Sequence, residues 1–443
     1  MDYQTLLERK LIPQEEAVFQ IPDGAFLVTY GFGEPIGILS RLTELKGKRK
    51  NITYVDSLNA KQYPFFADEE SRDVIRAESI FFGHFCREYQ KTGRISFVPN
   101  HLGRGYRDKL WELKHSCPDR PVVYAIQVSP MDAHGYFSTG IVGMSNRMMV
   151  ENADILIVEI NQNMPRTFGN TYIHVSEITC AYQGPNEMFY MPDRPLTEAD
   201  RTIGQYIADL IEDESTLQLG IGGIPNAVAA ALKDKRNLGV HTEMLSDSLI
   251  DLYRTGVVTN GAKTLHKDKM VTAFSYGSKS AYDFLHENSN VLHLEVGYVN
   301  DPAVIRQNRK MVSVNTTLQI DLMGQCASEA IGTLQISGTG GQTETASGAR
   351  QSEGGKSIIA LHATANVKNA HGERQRISTI LGVQPAGAVI SLLRADIDYV
   401  VTEFGVACLR GASLQKRARE LIGIAHPDYR DQLTSEAKRY YLI

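Results

Sequence analysis

The sequence predicts an α/β protein made of two similar open α/β domains. Short apolar runs of strand length alternate with helical patterns along the chain, which suits buried, largely parallel strands. A length of 443 residues exceeds what one hydrophobic core ordinarily holds. A glycine corner also closes a strand in each half, as Gly31-Phe-Gly33-Glu-Pro35 and as Gly220-Ile-Gly-Gly-Ile-Pro225. The shared outline fits two related halves, although it is too weak to establish a duplication.

In chain order, Leu6 to Phe19 reads as a helix, with Pro13 and the acids Glu15 and Glu16 supplying start signals. Ala25 to Tyr30 is a buried-strand pattern after the Pro22-Asp-Gly24 turn, and Ile36 to Leu45 reads as helix. Asn51 to Val55, Val122 to Val128 and Ala153 to Ile160 are further strands. The stretch 185–196 holds three prolines and is the expected linker between an N-terminal domain (1–184) and a C-terminal domain (197–443). Thr197, with Glu198 and Asp200, marks a helix start, and Ile203, Ile207, Leu210 and Ile211 give that helix an apolar face. Thr216 to Leu219 is a strand, Ala227 to Leu232 a helix, and a second strand carries His241-Thr-Glu243. Later strands are expected at Met270 to Phe274, Val291 to Val296, Lys310 to Asn315, Ser357 to Leu361 and Tyr399 to Thr402. Ser413 to Ile424 reads as a packing helix.

Bulk composition narrows the function. The formal net charge is −5, small for this length, which argues against a general nucleic-acid binder. The basic run Lys46 to Lys50 fits a solvated loop. Five scattered cysteines offer neither metal-ligand spacing nor a disulfide framework. The first residues lack a basic stretch followed by an apolar one, and no apolar run approaches the roughly 20 residues that span a bilayer. The expectation is a cytoplasmic protein with no membrane or nucleic-acid partner, no metal and no permanently bound cofactor.

Three familiar motifs fail. Gly220-Ile-Gly222-Gly-Ile-Pro225 has Pro225 where a dinucleotide fingerprint needs its third glycine, although Glu243 falls where the ribose-binding acid would stand. Gly355-Lys-Ser357 resembles the end of a P-loop, but Arg350 occupies the position of the first glycine. No Gly-x-Ser-x-Gly elbow occurs. What remains is an amide-rich corner followed by a strand that delivers one carboxylate. Such a corner lets a ligand approach the backbone and points helix N-terminal amides at an anion. A glutamate in an apolar strand is more commonly an edge or solvent-facing residue, and His241 is more commonly structural. The loop Gly338-Thr-Gly340-Gly341-Gln342 reads either as a flexible surface turn or as an oxyanion site whose bare amides stabilise charge on a carbonyl under attack.

Gln218 to Val228, His241 to Asp247, Gln335 to Gln342 and Val400 to Gly405 together resemble the acetyl-CoA hydrolase/transferase family, nearest the 4-hydroxybutyrate or butyrate CoA-transferase type. Ser129 to Gly135 and Asn300-Asp-Pro302 extend the likeness across nearly the whole chain. The resemblance implies the CoA-transferase fold with the active site between its two domains, coenzyme A as a substrate, and acyl-CoA and small carboxylic acids as partners. It further implies Glu243 as the nucleophile that forms a glutamyl-CoA thioester. Gly340 or Gly341 would supply an oxyanion amide, with Gly220, Gly222, Gly223, Gly338 and Gln342 lining the oxyanion and CoA-binding region. Glu403, in Val401-Thr-Glu-Phe-Gly405, is either near the CoA site or structural. A homo-oligomer is expected by analogy.

Departures bear on the substrate. The chain has Thr343-Glu-Thr-Ala-Ser347 where butyrate-type relatives tend to carry an apolar residue, an acid, an aromatic and an arginine. It has Tyr30-Gly-Phe-Gly-Glu34 where they tend to carry a histidine and small residues. Hydroxyls suit a polar acid better than a saturated chain, so a polar or dicarboxylic acid such as succinate or itaconate is expected. The alternatives are an acyl-CoA hydrolase on the same scaffold, a non-catalytic CoA-binding protein, and an isomerase on a related α/β fold.

Overall fold

The computed structural model describes residues 2–192, 194–368 and 372–443. The chain forms two compact units: residues up to Met191 with Val271–Val299 and Ile336–Gly338, and Pro192–Met270 with Asn300–Gln335 and Thr339–Ile443. The passage from one to the other falls within the expected linker 185–196, of which Asp193 lies outside the described residues. Neither unit is a single run of chain, because 271–299 and 336–338 belong with the first.

The first unit holds a parallel sheet of seven strands in the order Cys180–Gln183, Ile155–Ile160, Val122–Val128, Phe26–Val28, Ile52–Asp56, Ile75–Ser79, Ile95–Phe97. In the second unit the order is Gly405–Cys408, Tyr399–Thr402, Lys356–Ala360, Met311–Thr316, Thr216–Leu219, Gly239–Leu245, parallel except for the hairpin at Thr402 to Gly405. Both sheets are laid down by one rule. The first strand lies inside, the next is added on one side, and the chain later crosses to add strands on the other. That reversal creates a crevice at the carboxyl ends of the two strands flanking it, where ligands of open α/β sheets bind. In the second unit the flanking strands are Thr216–Leu219 and Met311–Thr316.

Several expected elements form where the apolar pattern put them. Thr197 caps the helix Glu198–Leu210 as half of a capping box: its hydroxyl accepts from the Asp200 amide at 3.1 Å while Asp200 accepts from the Thr197 amide at 2.9 Å. Ser413 caps Leu414–Gly423. Other elements are corrected. The helix expected over Leu6 to Phe19 is two, Tyr3–Lys10 and Gln14–Ala17, because Pro13 forces its predecessor out of helical geometry and starts the second helix. Ile36 to Leu45 breaks after Leu39 and ends in a 3₁₀ turn, Leu42–Leu45. The strand expected to Val296 stops at His293, and Val296 opens a helical turn. The helix Leu102–Ser116 escapes sequence reading because Gly103 and Gly105 break its pattern. At Gly105 a Cβ would sit 2.5 Å from Asn100 Oδ1, so the glycine serves close packing.

The first unit also holds a set of buried acids. Glu34, wholly buried, accepts from the Tyr63 hydroxyl and the Ala60 amide. Glu159, also wholly buried, accepts from the Gly37 amide at 2.7 Å, from Gln127 at 2.8 Å and from the Tyr182 hydroxyl. Burial raises the Glu34 carboxyl to about 8 and Asp56 to about 7. A carboxyl whose folded value exceeds its unfolded one contributes stability that is complete below the unfolded value and lost as pH rises through the folded value. Glu34→Gln removes that titration. Its melting temperature relative to the parent should therefore move in the variant's favour as pH is raised from about 4.5 to about 8. A difference that stays flat across this window in paired thermal melts would contradict the assignment.

Candidate active site

Glu243 stands in the strand Gly239–Leu245, whose other side chains are buried. The parallel pairings Thr216↔Gly239 and Leu217↔Val240, continued along both strands, bring Gly220 level with Glu243. The Thr242 hydroxyl, 3.4 Å from the Leu219 carbonyl, fits that register. The carboxylate is therefore delivered at the carboxyl edge of the sheet, beside the crevice made by the strand reversal.

Across the crevice, the helix Gln342–Gln351 is tied to the end of Met311–Thr316. Gln342 Nε2 donates to the Thr316 carbonyl at 2.8 Å, and Asn315 Nδ2 donates to the Thr345 hydroxyl at 3.1 Å. These ties bring Gly341, which precedes the helix, against Glu243. The Gly341 amide donates to the Glu243 carboxylate, and a Cβ on Gly341 would lie 2.1 Å from Glu243 Oε2. Asn300 completes the group: its Nδ2 donates to Glu243 Oε2 at 2.6 Å. Desolvation raises the Glu243 carboxyl above its ordinary value, opposed by the hydrogen bonds from Asn300 and Gly341. The result is a carboxylate poorly solvated by water yet oriented by two donors, a suitable state for a nucleophile.

The other residues singled out in the sequence fall in different places. Gly340 has φ +58, the left-handed region that glycine adopts without strain, directly before Gly341. Gly338 belongs to the first unit and packs on Phe81, whose ring a Cβ would meet at 2.7 Å, so it is a packing glycine. At the other corner, Gly222 (φ +112) caps the helix Gly223–Ala231 and has open space where a Cβ would be. Gly223 instead lies against Asp200, with a Cβ position 2.8 Å from its carboxylate. Glu403 accepts the Ala363 amide at 2.9 Å, a structural engagement. The polar departures are also committed internally. The Thr343 hydroxyl donates to the Ser391 carbonyl at 2.6 Å, and Glu34 is buried as described. In the sequence Asn300 stands out only as part of Asn300-Asp-Pro302, with no role assigned to it. Its partner lies 57 residues away, and an asparagine before Asp-Pro reads locally as part of a helix cap.

The acetyl-CoA hydrolase/transferase N-terminal domain model matches residues 1–217, and the C-terminal domain model of the same name matches 277–437. The chain belongs to the acetyl-CoA hydrolase/transferase family. The two matches flank the stretch that carries Gly220 to Gly223 and Glu243. Over 442 residues the chain is 38% identical to the 4-hydroxybutyrate coenzyme A transferase of Clostridium kluyveri, covering 100% of both. It is 38% identical to the succinyl-CoA:cyclohexane-1-carboxylate CoA transferase of Geobacter metallireducens, covering 99% of this chain and 97% of that one. Among solved structures, RipA from Yersinia pestis superposes with a TM-score of 0.89 at 35% identity, covering 100% of both chains. Among the described residues, no helix is long and apolar enough to cross a membrane.

Proposed function

We propose that this family member is a CoA-transferase in which Glu243 is the nucleophile. Full-length similarity to named CoA-transferases supports the activity class. The contact of Glu243 with the Gly341 amide and Asn300 supports the residue. Its ionised carboxylate attacks the thioester carbonyl of an acyl-CoA, and CoA departs as thiolate, leaving an acyl–glutamyl anhydride. The thiolate then attacks the glutamyl carbonyl of that anhydride and expels the first acid as carboxylate, leaving a glutamyl-CoA thioester. A second carboxylate runs the two steps in reverse. No proton is gained or lost, and the thioester bond energy is conserved in the covalent intermediate. Amides at Gly340 and Gly341 would meet the oxyanion of each tetrahedral intermediate. Gly220 and Gly222, at the opposing corner, would line the same crevice.

For the acids, a polar or dicarboxylic class, with succinate or itaconate among the candidates, is the reading we favour. It draws on the relative named for succinyl-CoA, since the Thr343 hydroxyl and Glu34 are engaged within the fold. Turnover far faster with butyrate than with any dicarboxylate would end it.

Borohydride trapping tests the mechanism. Incubation with acetyl-, butyryl- and succinyl-CoA, reduction and peptide mapping by mass spectrometry should convert one carboxyl, that of Glu243, to an alcohol. Release of CoA with no modified peptide would favour direct hydrolysis instead.

A further inference from the structure

A second carboxylate stands beside the first and takes no part in the steps above. Glu344, buried in the first turn of Gln342–Gln351, places its Oε2 3.4 Å from Asn300 Nδ2, the same nitrogen that donates to Glu243. A side-chain amide nitrogen carries two N–H groups, so one can serve each carboxylate. Two acceptors at one end of the amide decide which way round it lies. Reversed, the carbonyl oxygen would face both carboxylates with nothing to donate. Among the described residues Asn300 Oδ1 is left buried without a hydrogen-bond partner, so the orientation of the amide is set at its nitrogen end.

The backbone enforces the same arrangement. Asn300 directly precedes Asp301, which caps the short helix Pro302–Ile305. That helix packs on Gln342–Gln351 at Gly348, where a Cβ would lie 2.7 Å from Ile305 Cβ. One helix therefore carries Glu344, follows Gly341 and anchors the segment bearing Asn300.

We infer that Glu344 is a positioning residue for CoA transfer, holding the Asn300 amide with its N–H groups toward Glu243 and so fixing the reacting carboxylate. The inference rests on Glu243 being the nucleophile. Glutamine at 344 can turn its own N–H groups toward Asn300, so the amide loses its preferred sense. Aspartate keeps the carboxyl group but falls short by a methylene.

The test is a double-mutant cycle on the single-turnover rate of forming the borohydride-trappable adduct, with succinyl-CoA or whichever acyl-CoA labels the parent most strongly. Glu344→Gln should slow adduct formation about tenfold while leaving KM within about twofold, and Glu344→Asp should fall between it and the parent. Asn300→Ala should also be slow, and Glu344→Gln/Asn300→Ala no slower than Asn300→Ala alone, because Glu344 then has no amide to orient. Parental rates in both Glu344 variants overturn the inference, as does a double variant slowed by the product of its singles. Glu243→Gln is run alongside: if it still turns over, the underlying mechanism fails, whatever Glu344 does.

Discussion

Glu243→Gln is expected to lower kcat/KM for CoA transfer by on the order of 10⁴-fold, the scale seen when a covalent nucleophile is removed. It should do so while melting at a higher temperature than the parent near pH 8. Glutamine keeps the shape of the side chain, and its carbonyl oxygen can still accept from Asn300 and Gly341, so the site should stay assembled. It lacks the anionic oxygen that forms the anhydride. The stability gain follows from the carboxyl's raised value, caused first by desolvation. A group of that kind contributes stability fully below its unfolded value and loses it as pH rises through its folded value. Near pH 8, well above the carboxyl's unfolded value, the parent has lost stability to this titration and the variant has not, and the difference should shrink toward about pH 4 as both become neutral. Thermal melts at both pH values check this. A variant less stable than the parent near pH 8 would show that the site solvates the charge well.

The sequence announced the strands more reliably than the helices, and the physical reason is visible in particular residues. Val122–Val128 is buried throughout and apolar but for Gln127 because both faces of a parallel strand are covered, so its pattern needs no partner to be read. Thr197 and Asp200 signal a helix start for a similarly local reason, since a capping box closes within four residues. Leu102–Ser116 was lost because its glycines answer to a neighbour, Asn100, rather than to helix propensity. The candidate site divides the same way. Glu243 and Gly341 were legible through motifs at consistent spacing, whereas the contact between them depends on Gln342 and Asn315 tying a helix to a strand end. Asn300 and Glu344 meet across 44 residues, and neither has a local pattern that betrays the other. Gly338, grouped with its neighbours as lining the oxyanion and CoA-binding region, also packs on Phe81, a close approach that a glycine-dense loop does not mark in the sequence.

A close approach of that kind gives the second large prediction. Gly341→Ala should cut kcat/KM by at least about 10²-fold in a protein that remains folded. Gly341 has φ −95, an ordinary value for alanine, so no backbone strain is introduced. The added methyl has nowhere to go: its carbon would lie 2.1 Å from Glu243 Oε2 and 2.3 Å from Asn300 Nδ2. Both are side-chain ends, and they can move apart at moderate cost, so the fold survives. What moves is the nucleophile and the amide that orients it, and a displacement near 1 Å at a reacting atom is enough for a loss of this size. Gly222→Ala provides the contrast. There the methyl would point into open space but the backbone sits at φ +112, so its effect should register in thermal stability more than in the chemical step. Steady-state kinetics and melting curves on the two variants separate the cases. Parental kcat/KM in a folded Gly341→Ala protein would mean that the Glu243 carboxylate can be pushed aside without consequence, which no nucleophile can tolerate.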